Sequence, residues 1–295
     1  MTLKYFGQLL KFRLSVTVVF SAMAGYLLGF DEFNLIHFIS LTFGGMLVTG
    51  SANAFNQILE HKQDALMERT AVRPIPQGNL TTMQAFVFAF IIGVIGLFLL
   101  NTINPQGSFY GIMSKSSFFG LISIFLYVLS YTPLKRVSTI SIFVGAIPGA
   151  IPFLLGYVAA TDDFGLAAGM LFAIQFFWQF PHFIAIAWVL DKEYKKAGFK
   201  MLFGGEKGRY PAALSILSSL ITIIISIIPF FWNYTTLSLS VYAFVLITIL
   251  GIWFALKSVK LYKNANDLNA KKLMIASILY LPLLQIIYIA DKFMK

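Results

Sequence analysis

The sequence predicts an all-α integral membrane protein built from nine transmembrane helices. Three observations predict it. Of the 295 residues, 58% are hydrophobic and 12% charged, with a mean hydropathy of +0.80, where a soluble domain is about 45–50% apolar and about 25% charged. Apolar runs recur at the length a bilayer requires, about 20 residues for a hydrocarbon core of about 30 Å at 1.5 Å per residue. The basic residues gather on alternate connections between those runs.

The first run, 14–30, follows Lys4, Lys11 and Arg13, and no small-residue cleavage site comes after it, so it is expected to be retained as a span. The second, 37–58, ends in polar residues. The third is 83–100. The fourth, 117–130, is short for a bilayer and is expected to extend beyond those limits. The fifth, 140–160, carries Pro148 and Pro152 with Gly145, Gly149 and Gly156, the marks of a kinked or closely packed helix. The sixth, 165–190, contains Trp178-Gln179-Phe180-Pro181-His182-Phe183, and runs at 212–231, 237–256 and 273–290 complete the set. The chain reads as one polytopic domain, 1–295, with its longest connections at 60–82 and 191–211.

With nine spans, every lysine and arginine except Lys115, Lys292 and Lys295 falls on one side of the membrane. That side is predicted to be cytoplasmic, with the amino terminus inside and the carboxyl terminus outside. A different number of spans would flip the later loops and destroy the asymmetry. The net charge of +10 is thereby explained by the bilayer and implies no nucleic-acid partner. The absence of cysteine excludes disulfides, thiolate metal sites and a thiol nucleophile.

The chemistry is expected in the two long cytoplasmic connections. If the second helix continues to Asp64, Asn56, Glu60 and Asp64 fall within one arc, an all-oxygen set suited to Mg²⁺ and a substrate phosphate. Arg69-Thr70-x-x-Arg73-Pro74 follows directly, and guanidinium groups pair with phosphate oxygens. Lys135-Arg136, in Tyr131-Thr132-Pro133-Leu134-Lys135-Arg136, adds a second basic pair that ordinary positive-inside anchoring also accounts for. After the sixth span, Asp191-Lys192-Glu193-Tyr194 offers carboxylates for a second metal site facing the first. His182, inside a span, is a candidate to ligate iron or move a proton.

In this order the segments resemble the haem O synthases of the UbiA superfamily, over most of the chain from Lys11-x-Arg13 to the connection after the sixth span. The resemblance is carried by Asn56…Glu60…Asp64, Met67-Glu68-Arg69-Thr70…Arg73, Tyr131-Thr132-Pro133-Leu134-Lys135-Arg136, Gly145…Gly149…Pro152, Pro181-His182-Phe183 and Glu193-Tyr194-Lys195-Lys196-Ala197-Gly198. Glu60 and Glu193 stand where the family has aspartate, one methylene longer with the same charge. The resemblance implies a UbiA-like fold of nine helices around a central cavity in the cell's inner (cytoplasmic) membrane. It implies farnesyl diphosphate as donor, a vinyl group of haem b as acceptor, and Mg²⁺ as cofactor. Asp64, Arg69, Lys135 and His182 would be catalytic, and Asn53, Arg69, Arg73, Tyr131, Lys135, Arg136, His182, Lys192 and Tyr194 would bind substrate. Asn56, Glu60 and Asp64, with Asp191 and Glu193, would hold metal, and a haem A synthase would receive the product. The nearest rival is a prenyltransferase of an aromatic acid or quinone precursor using the same diphosphate apparatus. A transporter would instead place its polar groups near the midplane of broken helices.

Overall fold

The computed structural model describes residues 2–109, 111–232 and 237–295. Among the described residues, nine helices are long and apolar enough to cross a membrane, so the chain is a multi-pass membrane protein. A short helix α1 (Thr2–Leu9) precedes α2 (Phe12–Gly29), and Lys11, in the left-handed region at φ 46°, makes the corner between them. There follow α3 (Leu35–Asp64), the single turn α4 (Glu68–Ala71), α5 (Thr82–Asn101), α6 (Lys115–Phe125), α7 (Thr132–Leu134), α8 (Ser141–Thr161) and α9 (Leu166–Val189). Then come α10 (Asp191–Lys196), α11 (Arg209–Phe231), α12 (Val241–Lys263) and α13 (Asp267–Met294). Neighbours pack in the order α2, α3, α5, α6, α8, α9, α11, α12, α13, and α13 returns to α2.

The spanning helices α3, α5, α12 and α13 start at capping side chains. Asn34 accepts the His37 amide at 3.1 Å, Thr81 and Gln84 form a reciprocal capping box, and the Ser240 and Asn266 side chains cap α12 and α13. Ser240 explains why α12 begins at Val241 although the apolar run begins at Leu237. Its far end runs past Leu256 to Lys263, because lysines at 257, 260 and 263 need not stop a helix once their ammonium groups reach beyond the hydrocarbon. The same reasoning lengthens α13 to 28 residues. The 30 residues of α3 rise about 45 Å, so its last turns, bearing Glu60 and Asp64, project past a core of about 30 Å.

The short fourth run is completed by an unusual device. Beyond α6 the chain winds through one π-helical stretch, Leu126–Tyr131, into α7, giving a continuous span from Lys115 to Leu134. Thr132 donates its hydroxyl to Tyr127 O at 2.8 Å, and the Tyr127 and Tyr131 rings lie 5.3 Å apart. Such turns are frequent at functional sites because the extra residue re-aims neighbouring side chains.

The two prolines of α8 free carbonyls that no water can satisfy inside a bilayer. Ser123 replaces the partner that Pro152 removes, donating to Pro148 O at 3.4 Å, and from α9 Gln175 and Gln179 add side-chain hydrogen bonds to Gly149 O at 2.9 Å and Ala146 O at 3.0 Å. The glycines make room for this. A Cβ on Gly149 would stand 2.0 Å from Gln179 Oε1, and one on Gly145 would stand 2.5 Å from the Tyr131 ring. At Gly156 it would meet the main-chain oxygen of Ala22 at 1.8 Å, which backbone cannot yield cheaply. Gly156→Ala is therefore expected to pry α2 from α8 and lower stability by about 1–3 kcal/mol, read as a drop in the thermal midpoint of the detergent-purified protein. An unchanged midpoint would mean that this backbone contact is not tight.

Candidate active site

The carboxyl-terminal end of α3, α4, α7 and α10 meet at one end of the helix ring. The 100° turn of α3 stacks Asn56, Glu60 and Asp64, and all three are buried, at 2%, 4% and 1% exposure. Buried carboxylates require charged partners, and each has one. Arg73, on the turn after α4, pairs with Asp64 at 2.6 Å, and Lys135, at the end of α7, pairs with Glu60. Asn56 donates to Thr132 Oγ1 at 3.2 Å and accepts from Lys11 Nζ at 3.3 Å. The cluster thus sets the oxygen groups of α3 against cations drawn from three other segments.

Lys11, counted among the basic residues of the cytoplasmic side and absent from the expected site residues, is a further member. Burial lowers its ammonium group to about 7, with Arg73 and Lys135 acting in the same direction and Glu60 and Asp64 partly offsetting them. Lys135 also lies over the rings of Tyr131, at 4.7 Å, and Phe199, at 5.3 Å, and its carbonyl accepts the Lys200 amide at 2.6 Å, which docks the connection after α10 onto α7. Tyr194 adds a phenol to this wall, its acidity weakened by burial although Lys135 and Arg69 oppose the shift. Asn53, one turn before Asn56, ties α3 to Ser15 and Leu10 O on the α2 side.

Other expected members stand differently. Arg136 donates to Leu59 O at 3.0 Å and Gln63 Oε1 at 2.7 Å, so its guanidinium closes the end of α3. Arg69 and Lys192 are exposed at the rim. Asp191 pairs with Lys195 at 2.9 Å, and Glu193 accepts the Glu68 amide at 2.8 Å while pairing with Lys196 at 3.5 Å, tying α10 to α4. In this arrangement Asp191 and Glu193 do not join the α3 carboxylates: among the described residues no three His, Cys, Asp or Glu side chains stand close enough to hold a metal by themselves. Asn56, Glu60 and Asp64 do fit a hard cation by the chemistry of their donors, three buried oxygen groups on one helix face, provided that substrate or water completes the shell.

Beside the cluster, α9 contributes Phe176, Phe177, Phe180 and Phe183 to an apolar group that includes Tyr131 and Tyr194. Between Phe180 and Phe183 on the same helix, His182 Nδ1 lies 2.8 Å from Ser277 Oγ, and its ring stacks on Trp178 at 5.0 Å. A cavity of about 540 Å³ opens at the opposite end of the ring, at Gly29, Glu32, Thr161 and Asp163, and shares no lining residue with this cluster.

The profile of the UbiA prenyltransferase family matches residues 18–279. The chain belongs to the UbiA prenyltransferase family. Among its relatives, "Protoheme IX farnesyltransferase" of Flavobacterium psychrophilum is 47% identical over 98% of this chain and 95% of the relative. Two solved structures share the fold of this UbiA-family chain. The digeranylgeranylglyceryl phosphate synthase structure superposes with a TM-score of 0.80 at 20% identity, covering 100% of this chain and 99% of that one. A UbiA homolog from Archaeoglobus fulgidus, solved bound to DMAPP and Mg²⁺, gives 0.70 at 16% identity, covering 97% and 99%.

Proposed function

We propose that the protein transfers the farnesyl group of farnesyl diphosphate to a vinyl group of haem b, with addition of water, to make haem O for terminal oxidase biogenesis. The observation that carries the donor half is the buried set of Glu60 with Lys135 and Asp64 with Arg73, joined by Lys11 at Asn56. A diphosphate needs such a concentration of cations. The acceptor half rests on the 47% identity to proteins named for protohaem farnesylation.

In the reaction, the allylic C–O bond of the donor breaks and diphosphate leaves with the bonding pair. The terminal vinyl carbon bonds to farnesyl C1, and water adds to the inner vinyl carbon with loss of one proton. Mg²⁺, when bound, neutralises charge developing on the leaving group, and Asn56, Glu60 and Asp64 are the residues that would hold it. Arg73, Lys135 and Lys11, with Arg69 from the rim, bind and orient the phosphate oxygens. The apolar wall of Phe176, Phe177 and Phe180 excludes water from the allylic cation until the vinyl carbon attacks. His182 meets the acceptor, ligating its iron or moving a proton beside the vinyl group.

The whole chain acts as one domain in the inner membrane, its site on the cytoplasmic side with the amino terminus inside, and a haem A synthase takes the product. That orientation is supported by the basic residues near the site end, including Lys62, Arg136, Lys260 and Lys272.

The test is to incubate the detergent-purified protein with haem b, farnesyl diphosphate and Mg²⁺, with and without EDTA, and to analyse the extracted haems by chromatography and mass spectrometry. Haem O is expected in the Mg²⁺ arm and none in the EDTA arm. Unmodified haem beside prenylation of a supplied quinone precursor would overturn the acceptor and keep the donor site.

A further inference from the structure

We propose that Ser277 is a positioning residue that holds His182 in one tautomer, with the proton on Nδ1 and the lone pair on Nε2. The proposal rests on the reading of His182 as the residue that meets the acceptor, and it goes beyond that reading by fixing which nitrogen of the neutral ring does so.

The assignment follows from counting protons. Ser277, on α13, is fully buried, and its hydroxyl lies 2.7 Å from Met274 O. A carbonyl has no proton to give, so that contact is a hydrogen bond only if the hydroxyl donates. The single hydroxyl proton is then committed. The remaining contact of Ser277 Oγ is His182 Nδ1 at 2.8 Å, across the α9–α13 interface, and with the oxygen acting as acceptor the proton there must belong to the imidazole. A neutral imidazole that donates from Nδ1 carries its lone pair on Nε2.

The ring is held in orientation as well as in tautomer. Trp178, one turn earlier on α9, stacks on His182 with an interplanar angle of 17°, and its indole Nε1 donates to the main-chain oxygen of Ser277 at 2.9 Å. One residue of α13 therefore fixes both rings, one through its backbone and one through its hydroxyl. This resembles the outer hydrogen bonds that set the tautomer of histidine ligands in metal sites. The chemical consequence is selective. An Nε2 lone pair ligates iron or takes a proton from the attacking water; it does not donate a proton to the vinyl group.

Two substitutions separate this role from simple packing. Ser277→Ala removes the hydroxyl and keeps the main-chain oxygen that anchors Trp178, while Ser277→Thr keeps a hydroxyl able to bond the preceding turn. The purified protein, labelled with ¹⁵N-histidine and reconstituted in lipid nanodiscs, is read by NMR against His182→Ala to assign the signal. The expected result is protonated Nδ1 and bare Nε2 for His182 in the native protein and in Ser277→Thr, and a population protonated at Nε2 in Ser277→Ala. In parallel, kcat for haem farnesylation is expected to fall at least tenfold in Ser277→Ala with KM for farnesyl diphosphate unchanged, and to recover in Ser277→Thr. A native protein protonated at Nε2, or Ser277→Ala with an unaltered tautomer, would overturn the proposal, as would an altered tautomer with native kcat. If His182→Ala itself turned over at the native rate, the reading of His182 at the acceptor would fall while the NMR result stood.

Discussion

Asp64→Asn is expected to lower kcat for haem O formation by about 10²–10³-fold and to abolish its response to Mg²⁺. Asparagine preserves the shape of the side chain and one acceptor oxygen, so the end of α3 should persist. What disappears is the charge, at a position 1% exposed whose partner is the Arg73 guanidinium at 2.6 Å. Product formation measured against Mg²⁺ concentration decides the matter: an Asp64→Asn protein with native Mg²⁺ dependence would remove this carboxylate from the metal set. Asp191→Asn is the instructive contrast. Its ion pair is with Lys195, whose side chain is 56% exposed, and exposed pairs of this kind are worth about 0–1 kcal/mol. A small effect there and a large one at Asp64 would place the metal on α3 alone.

His182→Ala should abolish haem O formation, a loss of about 10²–10⁴-fold if the imidazole moves a proton, while leaving farnesyl diphosphate binding intact. The separation is expected because His182 lies on the α13 side of α9, bonded to Ser277, whereas the cations proposed to face the diphosphate come from the α1–α2 corner, the turn after α4 and α7. The two measurements are product by mass spectrometry and binding of radiolabelled farnesyl diphosphate to the purified protein. Loss of both together would mean that the substitution had disturbed the fold instead of the acceptor site.

Much of the site was legible because its logic is local. The spacing of Asn56, Glu60 and Asp64 belongs to one helix, so the condition that α3 continue to Asp64 was enough to stack them. Arg73 and Lys135 carried their own signals as basic residues on connections next to that stripe. Lys11 did not, because a lysine before the first span has an adequate explanation as an anchor, and only the packing of α2 against α3 brings it to Asn56. The resemblance implies a phosphate role for Arg136 beside Lys135, yet consecutive residues leave a helix end in different directions, and its guanidinium bonds Leu59 O and Gln63 on α3 instead. The fourth run, 117–130, reads short because Lys115 at its start and the polar Tyr131-Thr132-Pro133 at its end interrupt the apolar pattern, whereas the span runs from Lys115 through Leu134. Asp191 and Glu193 have lysines four and three residues further on, a spacing that offered internal pairing as readily as metal binding.

The pairing of Glu60 with Lys135 and of Asp64 with Arg73 also bears on how a turnover ends. With the diphosphate bound where proposed, once the farnesyl chain has moved the site would hold a diphosphate more highly charged than the ester that entered. The carboxylates remain tethered within reach of the same ammonium and guanidinium groups, at an effective concentration that no free product can match. On the proposed reading they would compete for those cations, displacing the product from within and returning the protein to its resting pairs.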